Sequence, residues 1–259
     1  LTLDGRTQDL SLGIDQVDPL LTGSTLLQLE ADRDETGLRV SDLSLQNEAI
    51  DVDGSADLTS DGGTAELEAR IDDLNRIDPS LSGPATLTAS ARRPADEWRI
   101  DLSFEGAEAA VAGDATIREL DAESPLAIFD LGVVADDLSN FGVILGRPLA
   151  GSVDLSARGQ SRLNLRQADV ALSGSMTDIE IGQDEVDRLL SGETQIEAQV
   201  QREGPQFTVP GLRVENPQIA VNGDAFIASG QSEVDLRIAL DELSQIVPEM
   251  QGPADIVLD

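Results

Sequence analysis

Ala220-Val221-Asn222-Gly223-Asp224-Ala225-Phe226-Ile227 decides how this chain is read. Val221, Gly223, Ala225 and Ile227 fall on one side of an extended strand, Asn222 and Asp224 on the other. The pattern returns in Ala110-Val111-Ala112-Gly113-Asp114-Ala115-Thr116-Ile117, in Val52-Asp53-Gly54 and in Leu172-Ser173-Gly174. A second series of glycines follows short helix-like segments: Leu21-Thr22-Gly23, Leu81-Ser82-Gly83, Leu149-Ala150-Gly151, Ser191-Gly192 and Gln251-Gly252. From the first glycine to the second is 31 residues (23 to 54), 30 (83 to 113), 23 (151 to 174) and 31 (192 to 223). Such self-similarity is the mark of an array rather than of a globular enzyme domain.

The second copy shows the unit. Leu74, Ile77 and Leu81 have the spacing of a short amphipathic helical turn, which Gly83 ends. Ala85, Leu87, Ala89 and Ala91 then alternate with polar residues as a strand, Arg92–Asp96 turns, and Trp98, Ile100, Leu102 and Phe104 form a second strand. Ala109, Val111, Gly113, Ala115 and Ile117 form a third. A parity slip between Val40 and Leu43 predicts a bulge in the first copy. In the third copy Val153, Leu155 and Ala157 are read as one strand, Leu163 and Leu165 as another, and Val170, Leu172 and Gly174 as a third.

These readings predict an all-β, mainly antiparallel repeat array of about fifteen strands. The expected form is a long curled sheet with an open groove, and short amphipathic helical turns between repeats. The approximate repeats are 1–71, 72–131, 132–179, 180–240 and a partial 241–259. Together they make one elongated array, expected to be a fragment of a larger protein.

One face of every strand is apolar and has to be covered. A sandwich, a solenoid or a trough filled by something else would do so. The residues expected to line such a trough, and to touch lipid if it carries lipid, are Leu27, Leu29, Val40, Val52, Leu58, Leu67, Leu87, Trp98, Ile100, Leu102, Phe104, Val111, Ile117, Val153, Leu155, Leu172, Ile196, Val200, Ile219, Val221, Ile227 and Leu236. Gly54, Gly113, Gly174 and Gly223 recur on the same face. A glycine inside a strand marks either a sharp bend with close backbone approach or a local bulge, and both readings stand.

Composition excludes several classes. The chain carries 50 acidic and 17 basic residues, a net charge of −33, so a phosphate backbone would be repelled and nucleic acid is not an expected partner. Every basic residue is Arg, and His, Cys and Tyr are absent, which leaves only carboxylates, Arg and hydroxyls for catalysis. No enzyme activity and no cofactor is expected. Asp51-Val52-Asp53-Gly54-Ser55-Ala56-Asp57 is acidic around a glycine but has the wrong spacing for a calcium loop. Gly146-Arg147-Pro148-Leu149-Ala150-Gly151-Ser152 lacks the lysine of a phosphate-binding loop. No metal site is expected.

Ile77-Asp78-Pro79-Ser80-Leu81-Ser82-Gly83-Pro84-Ala85-Thr86-Leu87 resembles the short helix leading into a strand of the TamB family. That family comprises inner-membrane-anchored components of the bacterial translocation and assembly module, related to AsmA-like proteins. The glycine-centred strands at 110–117 and 220–227 resemble that family's strands too. The shortened third copy and the acidic balance depart from it. The resemblance implies a hydrophobic groove in the periplasm of a Gram-negative bacterium, on a parent anchored in the inner membrane. It also implies phospholipid acyl chains as ligand, a BamA-like outer-membrane barrel as partner, and a role in lipid transport, protein secretion or outer-membrane biogenesis. Two other readings are an adhesin-like structural protein with a closed core, and a scaffold whose sheet edge templates outer-membrane strands.

Overall fold

The computed structural model describes residues 1–259 apart from 12, 14–17, 95, 143–145, 147, 230, 246–248 and 259, and apart from the side chains of 231 and 245. The turn expected around Ala95 and the loop expected at Arg147 therefore include positions outside the described residues. The chain divides into two compact units, Leu1–Leu120 and Asp121–Asp259.

The first unit holds β1 (Thr2–Gln8), β2 (Ser24–Arg33), β3 (Gly37–Gln46), β4 (Ile50–Thr59), β5 (Gly62–Ile71), β6 (Ala85–Pro94), β7 (Trp98–Gly106) and β8 (Ala109–Arg118). The second holds β9 (Leu126–Ala135), β10 (Ala150–Arg162), β11 (Gln167–Glu180), β12 (Glu193–Glu203), β13 (Gln206–Glu215), β14 (Ile219–Ala228), β15 (Gln231–Leu240) and β16 (Ala254–Leu258). Within each unit the strands pair in chain order, and every pair is antiparallel. Short connections dictate this, because a parallel return would need a crossover of a dozen residues or more. No described pairing joins the first strand of either unit to its last, so neither sheet closes into a barrel.

A short helical turn precedes each glycine of the first series. These are the 3-10 turns Asp18–Leu21, Leu74–Arg76, Ser139–Phe141 and Leu243–Gln245, and a six-residue helix, α1 (Asp184–Leu189). Gly23, Gly83, Gly192 and Gly252 then take φ between 82° and 95°, where a side chain is disfavoured.

The parity slip in β3 is a register shift between Val40 and Leu43 against β4, as expected of a bulge. A second shift, between Val209 and Leu212 against β14, spans Pro210 and Gly211. There the Gly211 N–H donates to the Asp224 carboxylate at 2.8 Å, outside the ladder.

The third repeat corrects the sequence reading. Leu163 and Leu165 belong to no strand; they lie in the turn between β10 and β11. Both leucines are exposed, and Leu165 has φ 57°, a left-handed value that breaks a strand. The third repeat is therefore one long hairpin, where the first, second and fourth repeats each have four strands. With one strand fewer between them, its glycines stand 23 residues apart. β1 and β16, which stand outside these sets, bring the strands among the described residues to sixteen.

Among the described residues the fully buried apolar side chains lie at one end of the strands, where the helical turns are; Ser161, near the other end of β10, is buried as well. Leu20, Leu21, Ala49 and Ile50 form a buried cluster, with Leu10, Leu45, Val52, Ile71 and Ile77 packed against it. Leu74, Ala85 and Ala107 continue it in the first unit; Ala135, Ile179, Leu189 and Leu240 are its counterparts in the second. The helical turns thus cover one rim of the apolar face.

Candidate functional site: the apolar face

Register gathers the expected lining residues on one face. In the first unit Leu27, Leu45, Val52, Ala69, Leu87, Phe104 and Val111 form an unbroken cross-strand row from β2 to β8. Beside it runs Leu29, Leu43, Gly54, Leu67, Ala89, Leu102 and Gly113. Val40, Ile100, Leu58, Trp98 and Ile117 sit on the same face nearer the strand ends away from the helical turns. In the second unit Val153, Leu155 and Leu172 lie with Gly174 and Ile196, and Val200 faces Val170. Ile219, Val221, Gly223 and Ile227 face Leu240, Ile238, Leu236 and Ser232 across β14 and β15.

Beyond the helical rim this face is only partly covered. Most of its side chains are half-buried, and Leu67 at 37 % and Ile227 at 51 % stay open to solvent. Neighbouring side chains shade one another; no second sheet packs across them among the described residues. Each cross-strand apolar pair contributes about 0.2–1 kcal/mol.

The strand glycines mark close backbone approach. At Gly223, φ is 155°, and an added Cβ would collide with the Asp235 carbonyl oxygen of β15 and sit 2.9 Å from the Leu236 Cα. Gly174 has the same relation to Asp154 and Leu155 of β10. Gly54 is looser: its Cβ would lie 3.1 Å from the Glu66 oxygen and 3.4 Å from Leu67 Cδ1.

No family model, no curated protein and no solved structure matches this chain. The physical chemistry of the two faces is therefore the ground for a functional reading.

The opposite face is acidic and hydrated. Arg39 pairs with Asp57 at 2.8 Å, Arg158 with Asp130 at 2.7 Å and Arg213 with Glu215 at 2.8 Å. Glu97 accepts from Arg99 and Arg118 at once, and these hydrogen bonds hold its carboxyl below the ordinary glutamate value. Other carboxylates face one another directly across strands, Asp101 with Asp114 and Asp224 with Asp235. A shallow depression is lined by Asp53, Glu66, Glu68, Asp101 and neighbouring Ser and Thr residues, with Gly54, Leu67, Ala89 and Leu102 also bordering it. No group of three or more Asp or Glu among the described residues is arranged to hold a metal ion. No described helix is long and apolar enough to cross a membrane.

Sequence reasoning missed the side chains that fasten the helical turns. The Asn47 amide donates to the Leu20 carbonyl at 2.7 Å and to the Thr25 hydroxyl at 3.2 Å, while its oxygen accepts from Ala49 and Ile50 N–H. Asn216 repeats this with Leu189, Thr194, Gln218 and Ile219. The signal was present in the sequence as Thr25 with Asn47 and Thr194 with Asn216, each 22 residues apart.

Proposed function

We propose that this chain is a periplasmic segment of a TamB-like envelope protein whose apolar face takes phospholipid acyl chains. It is a binding and transfer protein rather than an enzyme. In this reading its parent is anchored in the inner membrane and meets a BamA-like outer-membrane barrel. Lipid passes between the membranes along the face, with a further part in secretion and outer-membrane protein assembly.

The observation that carries the reading is the apolar face of each unit, left half-open by an unclosed sheet. A structural protein with a closed core would cover that surface at its own expense of chain, and an acidic opposite face keeps such an open sheet soluble. The lining is mostly Leu, Val, Ile and Ala, which leaves more room than aromatic side chains would. Burying a sixteen-carbon acyl chain there gains roughly 13 kcal/mol gross at about 0.8 kcal/mol per methylene. Leaving a bilayer costs a similar amount, so the exchange is near neutral and the lipid is free to move on. A curl of the sheet would deepen the face into a trough.

The test is native mass spectrometry of protein purified from a bacterial host, with lipid extraction. Co-purified phospholipid that is lost on Leu102→Arg or Val221→Arg supports the acyl-chain reading. A lipid-free mass from a well-folded β-protein overturns it.

A further inference from the structure

Charge is distributed unevenly between the two faces. Among the described strand positions of the apolar face there is no Asp or Glu, although the chain carries 50 acidic residues. Three arginines are on that face, the only charged residues among its described strand positions. Arg33 faces Leu38 at the end of β2, and Arg93 faces Gly63 at the end of β6. Arg202 lies between Ala168 and Phe207 at the end of β12. All three occupy strand ends away from the helical turns, the open rim of each unit.

The surroundings of Arg93 and Arg202 set them apart from the arginines of the polar face, six of which pair with carboxylates at 4 Å or less. Arg202 stacks over the Phe207 ring at 5.0 Å and donates to the Gly204 carbonyl at 3.0 Å. The Nε of Arg93 is shielded from solvent and has no hydrogen-bond partner. Holding a guanidinium against apolar surface costs desolvation unless an anion meets it.

We propose that these arginines receive the anionic head of an amphiphile whose chain lies over the apolar rows, so that the ligand is an acidic lipid held head-to-rim. This rests on the acyl-chain reading above and adds the head group to it. Arginine suits the task, because its planar fork meets two oxygens of a phosphate together while its stem lies along the apolar surface. From Arg93 the strand runs through Ala91, Ala89 and Leu87 to Ala85, roughly 27 Å at about 3.4 Å per residue, which is room for a chain lying along it. The carboxylates of the polar-face strand positions lie on the other side of the sheet, while the turns at that rim add Asp34, Glu35, Asp61 and Asp96 beside the arginines. A net charge of −33 by itself predicts the reverse preference, for uncharged heads.

The test is calorimetric titration of the full chain with dodecyl phosphate and with dodecyl maltoside, both below micelle formation, and with inorganic phosphate as competitor. The expected result is roughly ten-fold tighter binding of dodecyl phosphate, the worth of a charge-assisted hydrogen bond. The triple variant Arg33→Gln/Arg93→Gln/Arg202→Gln abolishes that preference and leaves the maltoside unchanged. Arg39→Gln/Arg158→Gln/Arg213→Gln, which removes the same charge from the polar face, retains it. Equal binding of both amphiphiles to the unaltered chain overturns the head-group site and leaves the acyl face standing, whether or not the triple variant folds. Preference kept by a folded triple variant overturns it as well. So does displacement of dodecyl phosphate by equimolar inorganic phosphate, which marks a free-anion site. No binding of either amphiphile overturns the acyl-chain reading itself, and the head-group site falls with it.

Discussion

Asn47 holds Thr25 by a 3.2 Å hydrogen bond across 22 residues of chain, and Thr25 is wholly buried. The same bond joins Asn216 to Thr194, 169 positions further on and equally buried. In these two repeats the asparagine closes the loop before the glycine-centred strand and pins the helical turn to it. Asn47→Ala strips partners from a carbonyl, a hydroxyl and two N–H groups. Its expected cost is about 2–3 kcal/mol, read from urea denaturation of the full chain, with Asn216→Ala costing about the same. Thr25→Ser, which keeps the hydroxyl, costs markedly less; equal losses for Thr25→Ser and Asn47→Ala would show that packing rather than the bond matters.

Gly223→Ala and Gly54→Ala are the same chemical change at matching repeat positions, yet they meet different surroundings. The first places a methyl on the Asp235 carbonyl oxygen at a φ that side chains avoid, so β14 and β15 have to part. The second asks Leu67 and the Glu66 oxygen to give by a few tenths of an ångström. We expect about 2–4 kcal/mol for Gly223→Ala and about 1 kcal/mol for Gly54→Ala, from thermal melts of the two variants. A reversed order would contradict the close approach.

The strands, their faces and even the β3 bulge were legible because period-two alternation is a local property of Leu27, Leu29 and Ala31 or of Val221 and Ala225. The third repeat was misread because Leu163 and Leu165 also alternate, and nothing in their own identity says that Leu165 turns left-handed. β9 escaped because Leu126-Ala127-Ile128-Phe129 is apolar on both sides and carries no alternation. The arginine rim is a relation between strand ends that only register reveals: Arg33 and Arg93 belong to strands four places apart.

Glu97 gives the pH dependence a sign. Hydrogen bonds from Arg99 and then Arg118 depress its carboxyl in the folded state. A depressed carboxyl contributes stability that is present above its unfolded-state value and is lost as pH falls through the folded one. Asp34, Asp78, Asp137 and Glu242 are depressed too, by hydrogen bonds from Thr36, Ser80, Ser139, and Gly252 with Ser244. Stability contributed by these groups therefore falls below the ordinary carboxylate range. Glu97→Gln should flatten the acid limb of a stability-versus-pH curve between pH ~5 and ~2. An unchanged acid limb would remove Glu97 from the account.

Asp101 opposite Asp114, and Asp224 opposite Asp235, are like charges set directly across strands, which is destabilising by a few tenths of a kcal/mol or more per pair. With a net charge of −33 behind them, screening should help. Raising sodium chloride from ~10 to ~150 mM shortens the screening length from about 30 Å to about 8 Å, and the melting temperature is expected to rise. Asp101→Asn should rise less, because one repulsive pair is already gone. A melting temperature that is flat in salt would mean that the exposed pairs are already relaxed by solvent.

Leu21 and Leu67 separate the covered rim from the open face. Leu21 is 1 % exposed inside the cluster under the first helical turn; Leu67 is 37 % exposed on the apolar row over Gly54. Leu21→Ala removes a packed side chain and leaves a cavity, at an expected cost of about 2–5 kcal/mol. Leu67→Ala removes only a partly hydrated one, so its cost should stay near 1 kcal/mol, because water already reaches it. If a layer outside the described residues covered the face, Leu67→Ala would cost as much as Leu21→Ala. Paired denaturation curves, repeated with dodecyl maltoside below micelle formation, decide the matter. A ligand on the face should widen the deficit of Leu67→Ala and leave that of Leu21→Ala unchanged, since the first loses binding as well as burial.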